Sequence, residues 1–178
     1  MLERLQQIFF AAFELFLVEE ADNVLRGTSE RNLCGRLAFL LEREARAAGL
    51  NRYRADVEYN RNIGRVKTIL DEYSQVVTIT CDIILHSRGT VAEQDNLIAI
   101  EMKRQGHRAA DKNSDRVRLR ALTKAFDPAV HAAGGDEIPC HVCGYLLGYF
   151  LEVDADARRW SVEEYQAGAL VAEQDMAF

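Results

Sequence analysis

The sequence predicts an α/β layer fold with a mixed sheet flanked by helices. Three observations predict it. Apolar residues recur at helical spacing through the first fifty positions, the period drops to two from Tyr53, and a nearly continuous apolar run follows a third helical stretch. At 178 residues the chain has the size of a single domain, 1–178, with one core. A hydrophobic content of 48% is enough to fill that core and excludes a wholly disordered chain.

Each element has its own signal. From Leu2 to Leu25, Leu5, Ile8, Phe9, Ala12, Phe13 and Phe16 mark one helical stripe, and Gly27 ends it. Phe10, Leu15, Leu17 and Val18 widen the stripe. So broad an apolar sector is either buried within the chain or meets a partner, a second copy or another protein. Residues 1–27 thus form an N-terminal apolar helix ahead of a core spanning 28–153. The next helix starts at Thr28 or Ser29, both good N-cap residues, turns Leu33, Leu37, Leu40 and Leu41 inward, and ends near Gly49.

Strands follow. Tyr53 to Arg61 alternates, with Ala55, Val57 and Tyr59 opposite Asp56, Glu58 and Asn60. Asn62 and Gly64 open a loop or hairpin end that runs to Glu72. Val76 to His86 reads as one β-branched strand, Ser87-Arg88-Gly89 as a turn, and Leu97 to Lys103 as a third strand. After a polar loop from Gln105 to Asn113, Ser114 caps a helix carrying Leu119, Leu122 and Phe126, which Pro128 ends. A loop from Ala132 to Pro139 leads to Cys140–Val153, apolar enough for a strand buried on both faces, with Gly144 and Gly148 as close-packing positions. Residues 154–178 read as a tail with one short element around Arg158 to Tyr165 before it frays.

Charge and cysteine content narrow the function. The net charge of −6 opposes a general nucleic-acid coat. Residues 101–124 nevertheless hold eight basic against three acidic side chains, a local +5. Four cysteines do not make a secreted disulfide scaffold, and Cys34 and Cys81 read as core. Cys140-His-Val-Cys143 has the spacing of half a zinc site, but no second pair accompanies it. The most apolar run, Ile8 to Val18, is too short to span a bilayer, and it lacks the basic start and small-residue cleavage site of a signal peptide. These features predict a cytoplasmic protein with no membrane contact. No phosphate-cradling glycine loop or nucleophile elbow is present.

Strand parity singles out three charged residues. Glu101 and Lys103 project from one face of their strand, and Ile98, Ile100 and Met102 from the other. In the preceding strand, Asp82 shares a face with Ile84 and His86. If the two strands are neighbours, Asp82, Glu101 and Lys103 converge. Two carboxylates form an oxygen-ligand site for a hard cation, and a lysine beside it orients water or neutralises phosphate charge. The plainer alternative is a cross-strand Glu101–Lys103 salt bridge on a solvated face.

Cys81-Asp82, eighteen residues, then Glu101-Met102-Lys103 resembles the signature of the PD-(D/E)XK nuclease superfamily, the restriction-endonuclease-like fold. Ser29–Leu33, Val57–Arg61, Asp82–Gly89 and Asn96–Lys103 are similar to segments of its small uncharacterised bacterial members. The resemblance implies a core of helix, three antiparallel strands, helix and strand, here with an extra N-terminal helix. It implies that Asp82 and Glu101, helped by the Met102 carbonyl, hold Mg²⁺ or Mn²⁺, and that Lys103 positions or activates water. Glu30 would complete the catalytic group through a second metal or a water; otherwise it is a first-turn acid favoured by the helix dipole. Cys81 departs from the motif's usual proline, which shapes the strand and does no chemistry.

The implied activity is divalent-metal-dependent hydrolysis of phosphodiester bonds, in DNA before RNA. Arg104, Arg108 and Lys112 would then receive the phosphate backbone, unless they belong to the charged outer face of a helix. The alternatives are a catalytically silent nucleic-acid-binding or protein-interaction subunit of a defence or mobile-element complex, and a hydrolase of small nucleotides.

Overall fold

A computed structural model describes residues 1–59, 61–62, 65–66, 68–70, 76–78, 80–91, 93–125 and 143–178. Helices α1 (Leu2–Leu25) and α2 (Glu30–Ala47) come first. Strand β1 (Arg54–Val57) is followed by the short strands β2 (Arg61–Asn62), β3 (Arg65–Val66), β4 (Thr68–Leu70) and β5 (Val76–Thr78). Then come β6 (Ile83–His86), β7 (Asn96–Arg104), α3 (Ala109–Thr123), β8 (Leu147–Asp154), β9 (Arg159–Gln166) and β10 (Ala169–Ala177). The main sheet has the order β1-β6-β7-β8-β9-β10; β2–β3 and β4–β5 form two separate two-stranded ladders. Every neighbouring pair in the main sheet is antiparallel except β7–β8, which is parallel, so the chain must cross over between them, and α3 lies in that crossover. The chain is α/β, with a six-stranded mixed open sheet flanked by helices.

Helices α1 and α2 cover one face of the sheet. Phe9 stacks on Tyr149 with ring centroids 3.6 Å apart, and Phe13 and Phe16 meet Trp160 edge-on at 5.6 Å. Ile98, Ile100 and Met102 of β7 join this core, as the alternation predicts. The breadth of the apolar sector of α1 is accounted for within the chain. Leu17 is buried, Phe10 and Leu15 pack against the same core, and of these four only Val18, 82% exposed, stands out; Leu2 and Leu25 are exposed at the helix ends. The fold therefore gives no support to a partner docked through this helix. No helix among the described residues is long and apolar enough to cross a membrane. Ser29 caps α2, its Oγ accepting the Asn32 N–H, and Arg36 of α2 binds the buried Glu20 of α1 at 2.5 Å.

Helix α3 covers the other face, where Ile84, Ala99, Leu119, Leu122, Phe150 and Tyr165 pack. Gly148 permits the close approach of helix to strand. A Cβ there would lie 3.0 Å from the Thr123 side chain and 3.3 Å from that of Tyr165.

The structure differs from the sequence expectations in five places. The first strand stops at Val57 because Glu58 takes a left-handed φ of 49° and donates its N–H to the Asp82 carbonyl. Residues 76–86 are not one strand: β5 pairs with β4, and β6 begins only at Ile83, leaving Asp82 at a bend. Helix α3 starts at Ala109, so Ser114 does not cap it but donates to the Ala110 carbonyl from inside; the helix ends at Thr123, before Pro128. Strand β8 starts at Leu147 rather than Cys140, because Gly144 turns with φ of 78° and the N–H groups of Gly144 and Tyr145 bond to Lys124 and Leu122 near the end of α3. Residues 154–178 do not fray. They form the β9–β10 hairpin across Ala167-Gly168, both at positive φ as a tight two-residue turn requires. Asn60, Phe126, Pro128, the 132–139 loop and Cys140 lie outside the described residues.

Candidate active site

Strand β7 is central to the site. Its ladder with β8 runs to Arg104, and Gln105 still donates to the Val153 carbonyl at 2.8 Å, so the strand is held rigidly to its end. Glu101 and Lys103 leave it on the α3 side. Glu101 is 0% exposed, which rules out a salt bridge on a solvated face, and its ionic partner is Arg118 rather than Lys103. Asp82, at the bend before β6, accepts the Met102 N–H on Oδ2 at 2.9 Å. Glu30, in the first turn of α2, accepts the Arg104 N–H on Oε1 at 3.0 Å, and His107 Nε2 lies 3.3 Å from the same oxygen.

The Lys103 ammonium is the hub. It lies 3.1 Å from Asp115 Oδ2, 3.5 Å from Asp82 Oδ2 and 4.0 Å from Glu30 Oε2, and donates to the Met102 carbonyl at 3.0 Å. Arg118 Nη1 bridges Glu101 Oε1 at 2.6 Å and Asp115 Oδ1 at 3.0 Å. Glu101 Oε2 is buried with no hydrogen-bond partner among the described residues, and the contact of Asp115 Oδ2 with Lys103 is an ion pair rather than an aligned hydrogen bond. The four residues expected at the site, Glu30, Asp82, Glu101 and Lys103, are thus brought together from α2, the bend before β6, and β7. No family model, curated protein or solved structure matches the chain.

Electrostatics set the protonation states in the cluster. Burial pushes the Glu101 carboxyl well above the usual range; the nearby Asp82 and Asp115 add to this, and Arg118 opposes it. Burial alone would lower the Lys103 amine, but Asp82, Asp115 and Glu101 outweigh it and hold the ammonium above its ordinary value. Lys103 is therefore a charged hydrogen-bond donor at neutral pH. Arg118 is likewise held charged by Glu101 and Asp115 against the effect of burial.

The donors that would hold a metal are all oxygens, the set preferred by Mg²⁺ and Mn²⁺. Among the described residues, no group of three or more His, Cys, Asp or Glu is spaced to hold a metal ion. Mg²⁺ does not need one, since it is commonly held by one or two carboxylates, with water and substrate phosphate completing its shell. Glu101 Oε2, with no hydrogen-bond partner among the described residues, is open to that role, whereas the Met102 carbonyl is engaged by Lys103. The Met102 side chain faces the opposite core, 3.9 Å from Cys34 Sγ.

The basic groove expected from residues 101–124 is largely matched internally. Lys112 is not free for phosphate: it binds Glu152 at 2.8 Å and the Gln105 carbonyl at 3.0 Å. Arg116 forks onto Glu163 and lies over the Phe150 ring at 4.2 Å. The Arg104 guanidinium donates to the Thr28 carbonyl, joining the end of β7 to the start of α2. Arg108 is exposed at the start of α3 and pairs with Asp111. Glu58 pairs with Arg31 at 2.6 Å. Sequence reasoning missed Asp115 and Arg118, which it counted in the charged helix. A signal was present: Asp115 lies four residues before Leu119 and Arg118 four before Leu122, so both fall on the buried stripe.

Proposed function

We propose that the chain is a divalent-metal-dependent nuclease of the PD-(D/E)XK kind, hydrolysing phosphodiester bonds, with DNA as its first substrate. The observation that carries this reading is the gathering of Asp82 and Glu30 around Lys103 at the end of a central strand, with Glu101 tied to the same cluster through Arg118 and Asp115. The element order α2-β1-β6-β7-α3-β8 supports it, being the helix, three antiparallel strands, helix and strand that the resemblance implies, with α1 preceding this core and β9–β10 following it. A cytoplasmic location goes with this reading.

A bound Mg²⁺ or Mn²⁺, held by Asp82 and Glu101, would polarise the scissile phosphate and acidify water. The chain's own residues do the rest. The Lys103 ammonium donates to the attacking water or to a phosphate oxygen, placing positive charge where negative charge develops. Glu30, held by the Arg104 N–H, sets a carboxylate oxygen 4.0 Å from the Lys103 ammonium on the α2 side. Burial of Glu101 removes competing bulk water from one side of the reacting group. Arg104 and Arg108 stand at the same end of β7 to meet the phosphate backbone.

A second reading, a binding subunit without cleavage, is favoured by one observation: Arg118 already engages Glu101 Oε1. One experiment separates the two. The protein is incubated with single- and double-stranded DNA and RNA in Mg²⁺, Mn²⁺ or chelator, with Asp82→Ala alongside. Cutting that needs metal and vanishes in the variant is the expected result. Absence of cutting under every condition sinks the nuclease and leaves the binding subunit.

A further inference from the structure

Helix α3 brings to the cluster two residues that the nuclease resemblance does not assign. Asp115 is 5% exposed, and a carboxylate buried on a helix is costly unless it is paired. Its two oxygens face two different cations, Oδ1 toward Arg118 at 3.0 Å and Oδ2 toward Lys103 at 3.1 Å. Among the carboxylates around Lys103 it is the nearest. Lysine ends in a point charge on a flexible four-carbon stem, so its direction is set by whatever surrounds the ammonium. Asp115 is well placed to set it, because Leu119 and Leu122 on the same helix face are fixed against the sheet. Arg118, one turn away, adds a second constraint. It holds Glu101 by Oε1 and leaves Oε2 without a partner.

We propose that Asp115 is a positioning residue of this site: it fixes the Lys103 ammonium, while Arg118 fixes Asp115 and Glu101 relative to each other. The part that Lys103 plays rests on the nuclease reading; where Lys103 is held does not. Stability alone does not call for this arrangement, since packed apolar residues commonly serve as well as buried ion pairs.

The test is Asp115→Asn, which keeps shape and removes charge, with circular dichroism to establish folding. Three properties are measured: acetylation of Lys103 by acetic anhydride, read by peptide mass spectrometry relative to Lys112; Mn²⁺ binding by calorimetry; and kcat and KM separately. Lys103 acetylation should rise about threefold or more as the amine is released from the 3.1 Å contact that holds it against α3. Turnover should fall about 10- to 100-fold with KM little changed, and Asp115→Glu should recover part of it. Unchanged Lys103 reactivity in the folded variant overturns the proposal. So does unchanged turnover in a folded variant when the wild type cuts, which would make the Lys103–Asp115 contact structural only. If Asp115→Asn does not fold, Arg118→Met, which removes the Nη1 bridge between Glu101 and Asp115, is measured in the same way. A rise in Lys103 reactivity then supports the proposal and no rise overturns it. A wild-type protein that neither binds Mn²⁺ nor cuts nucleic acid ends the nuclease reading, while Lys103 reactivity still decides the positioning.

Discussion

The face of the sheet beneath α1 and α2 is closed by Phe9, Phe13, Phe16, Tyr149 and Trp160, whereas the face beneath α3 carries Glu101, Asp115, Arg118 and Lys103 among its packed residues. Both faces are well buried. They differ in what burial does. Rings removed from water stabilise the fold directly, at about 25 cal/mol per Å² of apolar surface. Charges removed from water do not, and each needs a counter-charge to remain. The lesson is a division of labour across one sheet: the α1–α2 layer supplies stability, and the α3 layer holds a strained electrostatic arrangement that the other layer makes tolerable.

Three substitutions test that division, the largest effect first. Lys103→Ala should lower cleavage about 10²- to 10³-fold, the usual loss for one well-placed donor, while circular dichroism and thermal melting show a folded protein. A variant that cuts normally breaks the comparison on the α3 side. Phe13→Ala should do the reverse. It removes a fully buried ring between Phe9, Phe16 and Trp160 and should cost about 3–5 kcal/mol in urea unfolding, with activity per folded molecule retained. A stability loss below about 1 kcal/mol would show that the aromatic layer is not the main support.

Glu20→Gln sharpens the contrast within the stable layer. Burial works against the charged Glu20, but the Asn23 amide and the Arg36 guanidinium outweigh it, and the carboxyl is held below its ordinary value. A depressed folded value means stability present above the unfolded value and lost as pH falls through the folded one. The variant should therefore be about 2 kcal/mol less stable at pH 7, and the gap should close below about pH 4.5. A gap independent of pH would assign the effect to packing.

Much of this was legible in local sequence. Helices α1 and α2 and strand β7 are written in residue period, and parity alone put Glu101 and Lys103 on one face. The misreadings have long-range causes. The run from Val76 to His86 looks like one strand because its β-branched residues nearly adjoin; the break is set by pairing of β5 with β4 and β6 with β7. Asp115 was hidden because a start at Ser114 placed it in the first turn of α3, where an acid needs no explanation. The basic surplus of α3 resembled a groove because its counter-charges, Glu152 and Glu163, arrive some forty residues later. The short element expected around Arg158 to Tyr165 is β9, whereas β10 escaped because nearly all of its residues are exposed and no buried face marks it.

The stack of Phe9 on Tyr149 has a consequence for how the chain is made. The two rings are separated by 140 residues of sequence. At translation rates of about 5–20 residues per second, α1 emerges roughly 7–28 s before β8 exists to receive it. For that interval Phe9 lacks Tyr149, and Trp160, the partner of Phe13 and Phe16, arrives later still. The aromatic face of the helix that closes the finished fold is thus left partly uncovered during synthesis, open to misassociation until β8 and β9 reach it.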